Sequence, residues 1–444
     1  MNRPTMLIIA ASLALAHTAS AAPALDAANP FAQPSSLPLY YPAFDKIKNE
    51  HFLPAYAAGM DEQLREIDGI ANSKAAPTFD NTIVAMERSG QMLSRVSAVF
   101  SNLQIANTND ALDAVDREMS PKLAAHNDAI YLNPALFRRV KTLHDKRATL
   151  KLDAESKHLL ERVYKEFVRA GARLSAADKE KLKKYNAEIA SLQSDFAQRV
   201  LKEANASALI VDTRAELAGF SDAEVNAAAV EADKRGQKGK FAIAIVNTSS
   251  QPALSSLSDR QTRERLMSAS LNRGSRGGQF DTRELVLKLA RLRAERAALL
   301  GYPTYAAYSQ ELETAKNPAA VNKLLAELAK PAVNNARKEA AEIQKIIDAE
   351  GGASKGGFQV ASYDWPIYQD KVRAAKYNFD ENQLRPYFEL NRVLVDGVFF
   401  AATKEYGITF KERKDLPVYD PDVRTFDVFD HDGKQLAIFI FDPY

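Results

Sequence analysis

The sequence predicts a mainly helical fold with a small β element beginning at its C-terminal end. From about residue 46 to about residue 405 apolar residues return at spacings of three and four, the period of helices with one buried face. From Thr425 onward the period becomes two. The 444 residues also contain no cysteine, so no disulfide framework or Cys-based zinc site is available, and a packed core must carry the stability.

Composition bounds the partners. Apolar residues make up 46% and charged residues 26%, which suits a globular chain of one large or two to three ordinary domains. Fifty-nine basic residues face 57 acidic ones, so the balance gives no electrostatic reason for binding nucleic acid or an anionic membrane. The local run KEKLKK (Lys179–Lys184) sits among acidic residues at helical spacing and reads as a solvated face.

The elements follow in order. Arg3, the apolar run Met6–Ala16 and Ala19-Ser20-Ala21 read as a signal peptide over 1–21, with cleavage after Ala21 and export, most simply to a periplasm. Residues 22–45, rich in proline and small residues, read as an extended arm. Asn81-Thr82 should open an amphipathic helix running to about Ile105, and Asn133-Pro134 another. Leu159, Val163 and Phe167 mark a helix that turns at Ala170–Ser175. Ser175 and Asp178 form a candidate capping box for its successor. That successor carries Leu182, Tyr185, Ile189, Leu192 and Phe196, the seam expected of an antiparallel helical hairpin. Asp281–Leu300 and Pro318–Ile347 are two more long helices, the second with Pro331 as an expected bend. GGASKGG (Gly351–Gly357) is the expected internal boundary. Thr425–Phe429, a turn at Asp432-Gly433 and Leu436–Phe441 form a hairpin. Its last strand carries Ile438, Phe439, Ile440 and Phe441, each worth about 1.5–3 kcal/mol if fully buried. Such a strand needs cover on both faces, and the reading expects that cover to come from strands and helices outside the sequence.

No catalytic, cofactor-binding or metal site is assembled by local motifs. The histidines are His17, His51, His126, His144, His158 and His431, and no HExxH, HxH or HxxEH occurs. His158 and Glu161 place an imidazole and a carboxylate one helical turn apart, but no second pair accompanies them. Gly274-Ser-Arg-Gly-Gly278 is not G-x-S-x-G and reads as a turn, and Lys238-Gly-Lys240 lacks the P-loop spacing.

Longer stretches carry a resemblance. They include FDKIKNEHFLPAYAAGM (Phe44–Met60), PTFDNTIVAMERSG (Pro77–Gly90), EFVRAGARL (Glu166–Leu174) and RAERAALLGYPTYAAY (Arg293–Tyr308). NTSSQPALSSLSDRQTRE (Asn247–Glu264), Tyr363–Leu394 and PVYDPDVRTFDVFDHDG (Pro417–Gly433) complete the series. In this order they resemble the M3 (thimet oligopeptidase-like) zinc metallopeptidases, nearest their bacterial peptidyl-dipeptidase branch, Dcp. Tyr363 and Ser249-Ser250 are small departures.

The resemblance implies a two-lobed helical ellipsoid around a channel that admits short peptides, with a small sheet supporting the site. It also implies release of C-terminal dipeptides, with one zinc held by the two histidines of HExxH and a downstream Glu. None of these zinc-site residues has a counterpart here, so catalytic, cofactor and metal positions are all none. The chain is therefore expected to be an N-terminal fragment: signal peptide 1–21, arm 22–45, helical channel lobe 46–350, and the start of the catalytic lobe over 358–444. It is expected to bind no zinc and to cleave nothing by itself, and the complete protein is expected to be a monomer acting on short peptides. The alternative is a complete, non-catalytic periplasmic helical module that binds peptides or a protein.

Overall fold

A computed structural model describes residues 25–246, 248, 250–351, 357–378 and 383–443. The proposed signal segment, His17 and most of the Gly351–Gly357 boundary lie outside the described residues.

The N-terminal half is built from helices. They are α1 (Phe52–Ala71), α2 (Gln91–Ala106), α3 (Asp110–Tyr131), α4 (Pro134–Asp145), α5 (Ala154–Arg169) and α6 (Ala176–Ala206). Asn133 caps α4 as expected, its side chain accepting from the backbone N–H groups of Ala135 and Leu136, with Pro134 in the first turn. The expected single run from Asn81 to Ile105 is instead divided. Thr78 and Asn81 form a capping box for a first turn of helix over Phe79–Val84, and the chain then breaks at Gly90, whose φ is +73°. A Cβ there would meet only the mobile end of the Gln63 side chain, so it is the backbone conformation that calls for glycine.

The expected helical hairpin also resolves differently. Ser175 Oγ accepts from the Asp178 N–H, but the Asp178 carboxylate takes the Ser175 hydroxyl proton rather than its backbone N–H, so the box is only half made. The α6 seam does not close on α5. Ile189, with Tyr185, Leu192 and Phe196, packs against Leu289 and Leu292 of α9 (Arg283–Leu299), and α6 also lies along α3. Helix α5 lies on α4, sharing a core of Leu136, Val140, Leu160, Val163 and Phe167. An apolar stripe fixes which face is buried, not which helix covers it.

Between these layers β1 (Leu209–Val211) pairs antiparallel with β2 (Phe241–Ile243), flanked by α7 (Asp222–Lys234) and α8 (Arg260–Leu271). Next come α10 (Tyr305–Gln310), α11 (Pro318–Gly351), α12 (Trp365–Tyr377) and α13 (Phe400–Tyr406). Pro331 is held within α11. Only Ile343 and Ile347, near the α11 C-terminus, are buried, while Leu324, Leu325, Leu328 and Val333 face outward.

The chain ends its described course in a three-stranded antiparallel sheet, β3 (Thr409–Arg413), β4 (Arg424–Phe429) and β5 (Gln435–Phe441), in that order across the sheet. The β4–β5 turn is the expected one, with Gly433 at φ +79° and the Asp430 N–H donating to the Lys434 carbonyl at 2.8 Å. β3 was not anticipated. Among the described residues no helix is long and apolar enough to cross a membrane.

Candidate functional site

The sheet is the joint between the two halves of the chain. Ile438 and Ile440 of β5 pack on the core of the arm, α1, α2 and α3, together with Leu416 and Tyr419. Tyr419 meets Phe44 of the arm edge-on at 5.1 Å between ring centres. Phe439 and Phe441, on the opposite face, join Leu394, Phe399, Phe410 and Phe426. Phe399 stacks on Phe410 at 4.0 Å and meets Phe426 edge-on at 4.9 Å. Part of the cover expected from outside the sequence is thus supplied from within it. The arm and the helical turn Val393–Phe399 before α13 supply it, and each of the four remains only partly buried. What remains open is the outer edge of β5, which has no strand partner among the described residues.

Asp427 lies inside the sheet on β4 and is balanced there. Arg413 Nη1 donates to it at 3.1 Å and Gln435 Nε2 at 2.7 Å. Arg413 also grips Asp415, holding that exposed carboxyl down at about 2. A second buried carboxylate, Asp364 at the start of α12, accepts from Arg260, Arg263 and the Ala361 N–H. Arg260 lies between the rings of Phe358 and Tyr363, at 4.0 and 4.8 Å from their centres. Tyr363, the departure noted in the sequence, thus still supplies an aromatic face to this clasp.

The donor set for zinc does not fit. Among the described residues no group of three or more His, Cys, Asp or Glu side chains converges. His51 Nδ1 accepts from the Lys48 N–H. His126 is buried, with Nε2 on Gln63 Oε1 at 2.7 Å and burial pushing its pKa down. His144 stacks on Tyr164 at 3.6 Å. His431 pairs with Asp430 at the hairpin turn. His158 is exposed, and its neighbour Glu161 faces Arg147 at 3.8 Å, so the His158–Glu161 spacing gathers no third donor. Gly274 has a positive φ in the turn expected there, and Gly239 also has a positive φ.

Two of the cavities among the described residues adjoin these elements. One of about 990 Å³ lies between the arm, Arg95 and Val99 of α2, and Asp415–Pro417. A smaller one of about 290 Å³ is walled by α3, α6 and α9 and is polar at its heart. There Asn186 Nδ2 donates to Asp128 Oδ1 at 2.7 Å, and Arg296 Nη1 donates to Asn186 Oδ1 at 3.3 Å. No sequence motif marked this group, because it draws one residue from each of three helices.

Comparison with known proteins decides the kinship. The model described as "Peptidase family M3" matches residues 253–444, the stretch that holds the Arg260–Asp364 clasp and the whole three-stranded sheet. Over residues 253–444 the chain is similar to peptidase family M3. The similarity extends well beyond that segment. Dipeptidyl carboxypeptidase from Salmonella typhimurium is 44% identical over 414 residues, which is 93% of this chain and 60% of that protein. The enzyme of the same name from Escherichia coli is 44% identical over the same shares. Oligopeptidase A from Escherichia coli is 26% identical over 415 residues, again 93% and 60%. The chain thus spans about 60% of the length of the curated relatives it matches. The M3 kinship read from the sequence stands, and the relatives are peptidases by name.

Proposed function

We propose that this chain forms the peptide-holding framework of an exported M3 peptidyl-dipeptidase, which removes dipeptides from the free C-termini of short peptides. The observation that carries this reading is the 44% identity to two dipeptidyl carboxypeptidases over 93% of the chain, against 26% for an oligopeptidase A. In this reading the zinc ligands come from the part of the relatives' length that the chain does not span. The described residues then bind no catalytic zinc and cleave no peptide unaided.

Two surfaces support that division. The outer edge of β5 offers unpaired backbone groups to a further strand. Leu324, Leu325, Leu328 and Val333 leave an apolar face along α11. Both suit packing by the remaining part of an M3 fold. When zinc is bound by the complete fold it supplies Lewis-acid activation of water. The framework's task is to exclude folded substrates and hold the peptide.

The test is complementation. The 444-residue chain is co-expressed with the portion of the Salmonella dipeptidyl carboxypeptidase that lies beyond the aligned region. A peptide with a free C-terminus should then lose dipeptides, read by mass spectrometry, and its C-terminal amide should be a poor substrate. Internal cleavage regardless of the C-terminus would replace this reading with an oligopeptidase A type.

A further inference from the structure

We propose that the outer edge of β5 is a self-association surface, to which a second copy of this chain adds its own β5, antiparallel and about a two-fold axis. Among the described residues β4 is the only strand bonded to β5, and no helix runs alongside it. The two edges of the sheet differ in kind. β3 carries Lys411, Glu412 and Arg413, charges that keep an edge strand from pairing with another chain. β5 reads QLAIFIF, with no charge, no proline and no glycine. Its one register shift lies at the turn end, opposite Val428 and Phe429. A strand edge of this length without any such guard is a template for a further strand.

The sequence of β5 selects a second copy as that strand. A two-fold axis perpendicular to the sheet pairs each residue with one on the same face. Full overlap of Gln435–Phe441 then puts Ile438 opposite the Ile438 of the second copy. The same register sets Leu436 opposite Ile440 twice and Ala437 opposite Phe439 twice. Leu436 is 57% exposed in the single chain, so this pairing gives it cover. Just beyond the strand Lys434 falls opposite Asp442, and the axis makes that opposite-charge pair twice. Both are free to take it up. The Lys434 side chain is 84% exposed and meets Asp432 in a surface pair of little worth, while Asp442 accepts the Tyr419 hydroxyl on one oxygen only. The dimer is closed, since it uses both open edges and leaves the guarded β3 edges outside. It takes the edge that a complementing part of the M3 fold would cover, so the two occupants exclude each other. Being a property of the chain alone, it stands apart from the peptidase reading.

The test is sedimentation equilibrium of the 444-residue chain from micromolar to near-millimolar concentration. A monomer–dimer equilibrium is expected, with β5 amides exchanging more slowly as concentration rises and those of α1–α4 unchanged. Lys434→Glu or Asp442→Lys alone sets like charges opposite each other at both ends of the paired strands. Each should weaken the dimer about tenfold while the far-UV circular dichroism is retained. Lys434→Glu and Asp442→Lys together exchange the charges and should restore the affinity, which a merely local effect of either substitution would not do. The proposal is overturned if the chain stays monomeric throughout this range or forms open-ended oligomers. A dimer indifferent to the single substitutions, or not recovered by the pair, would overturn it equally.

Discussion

Arg263 and Asp364, 101 residues apart in sequence, form a buried ion pair in which Nη2 donates to Oδ1 at 2.8 Å. Asp364 is fully buried and the Arg263 side chain is 3% exposed, so water compensates neither group. Arg263 Nη1 also donates to the carbonyls of Leu257 and Ser258. The pair fastens α12 to α8, within the segment that matches the M3 family.

Removing one partner should therefore cost more than the pair contributes as a whole. Asp364→Ala leaves a buried guanidinium with no counter-charge, and we expect a loss of about 3–5 kcal/mol in urea unfolding. Arg260→Ala, at a position where the guanidinium is one-third exposed, should cost distinctly less. Equal effects of the two would show that burial does not govern this clasp.

Gly219→Ala should be destabilising for a reason unrelated to burial. Its φ is +98°, and a Cβ there would lie 2.0 Å from the Ser256 carbonyl oxygen. The backbone strain alone is worth about 1–3 kcal/mol, and the clash adds to it. Gly236→Ala, also at positive φ but with open space around its Cβ, gives the strain without the clash and should cost less in the same thermal unfolding series.

Stability should fall on mild acidification, and His126 should account for part of the fall. Burial lowers its folded-state pKa below the ordinary 6.5, while Nε2–H donates to Gln63. The unfolded chain then binds more protons in the window just below 6.5. Its contribution is complete above that value and is lost as pH drops towards the folded pKa. His144, lowered mainly by burial and next by Arg147, adds in the same direction. His126→Gln should flatten the slope of unfolding free energy between about pH 7 and 5, and an unchanged slope would remove His126 from the account.

Phe399→Ala should loosen the sheet. It deletes the ring that stacks on Phe410 and meets Phe426 and Phe439 edge-on, one ring from each strand. A loss of about 3–5 kcal/mol is expected, with faster amide exchange across β3–β5 than in α1–α4. Uniform exchange throughout the chain would show that the sheet is not a separately loosened unit.

The helices and the final hairpin were legible because their periods are local. Asn133-Pro134, the α6 stripe and Asp432-Gly433 each specify structure within a few residues. Partners were not legible. The α6 seam meets α9 rather than α5, since helical hairpin connectivity does not oblige adjacent helices to share a core. β3 was missed because Lys411, Glu412 and Arg413 give it the charge of a solvated edge strand. The part of the β5 cover that lies within the chain was not legible for a similar reason, since the cluster against Ile438 and Ile440 includes Phe44, nearly four hundred positions earlier. The M3 kinship rests on many dispersed blocks, so it was readable in the sequence although no local catalytic motif was.

The central claim is a division of labour, with the framework in this chain and the zinc ligands in the part of the relatives that it does not span. Zinc stoichiometry measured by equilibrium dialysis tests this most directly, on the purified 444-residue chain and on its complemented assembly. The account predicts no stoichiometric zinc on the chain alone and one ion per complemented assembly. One tightly held zinc on the chain alone would contradict it.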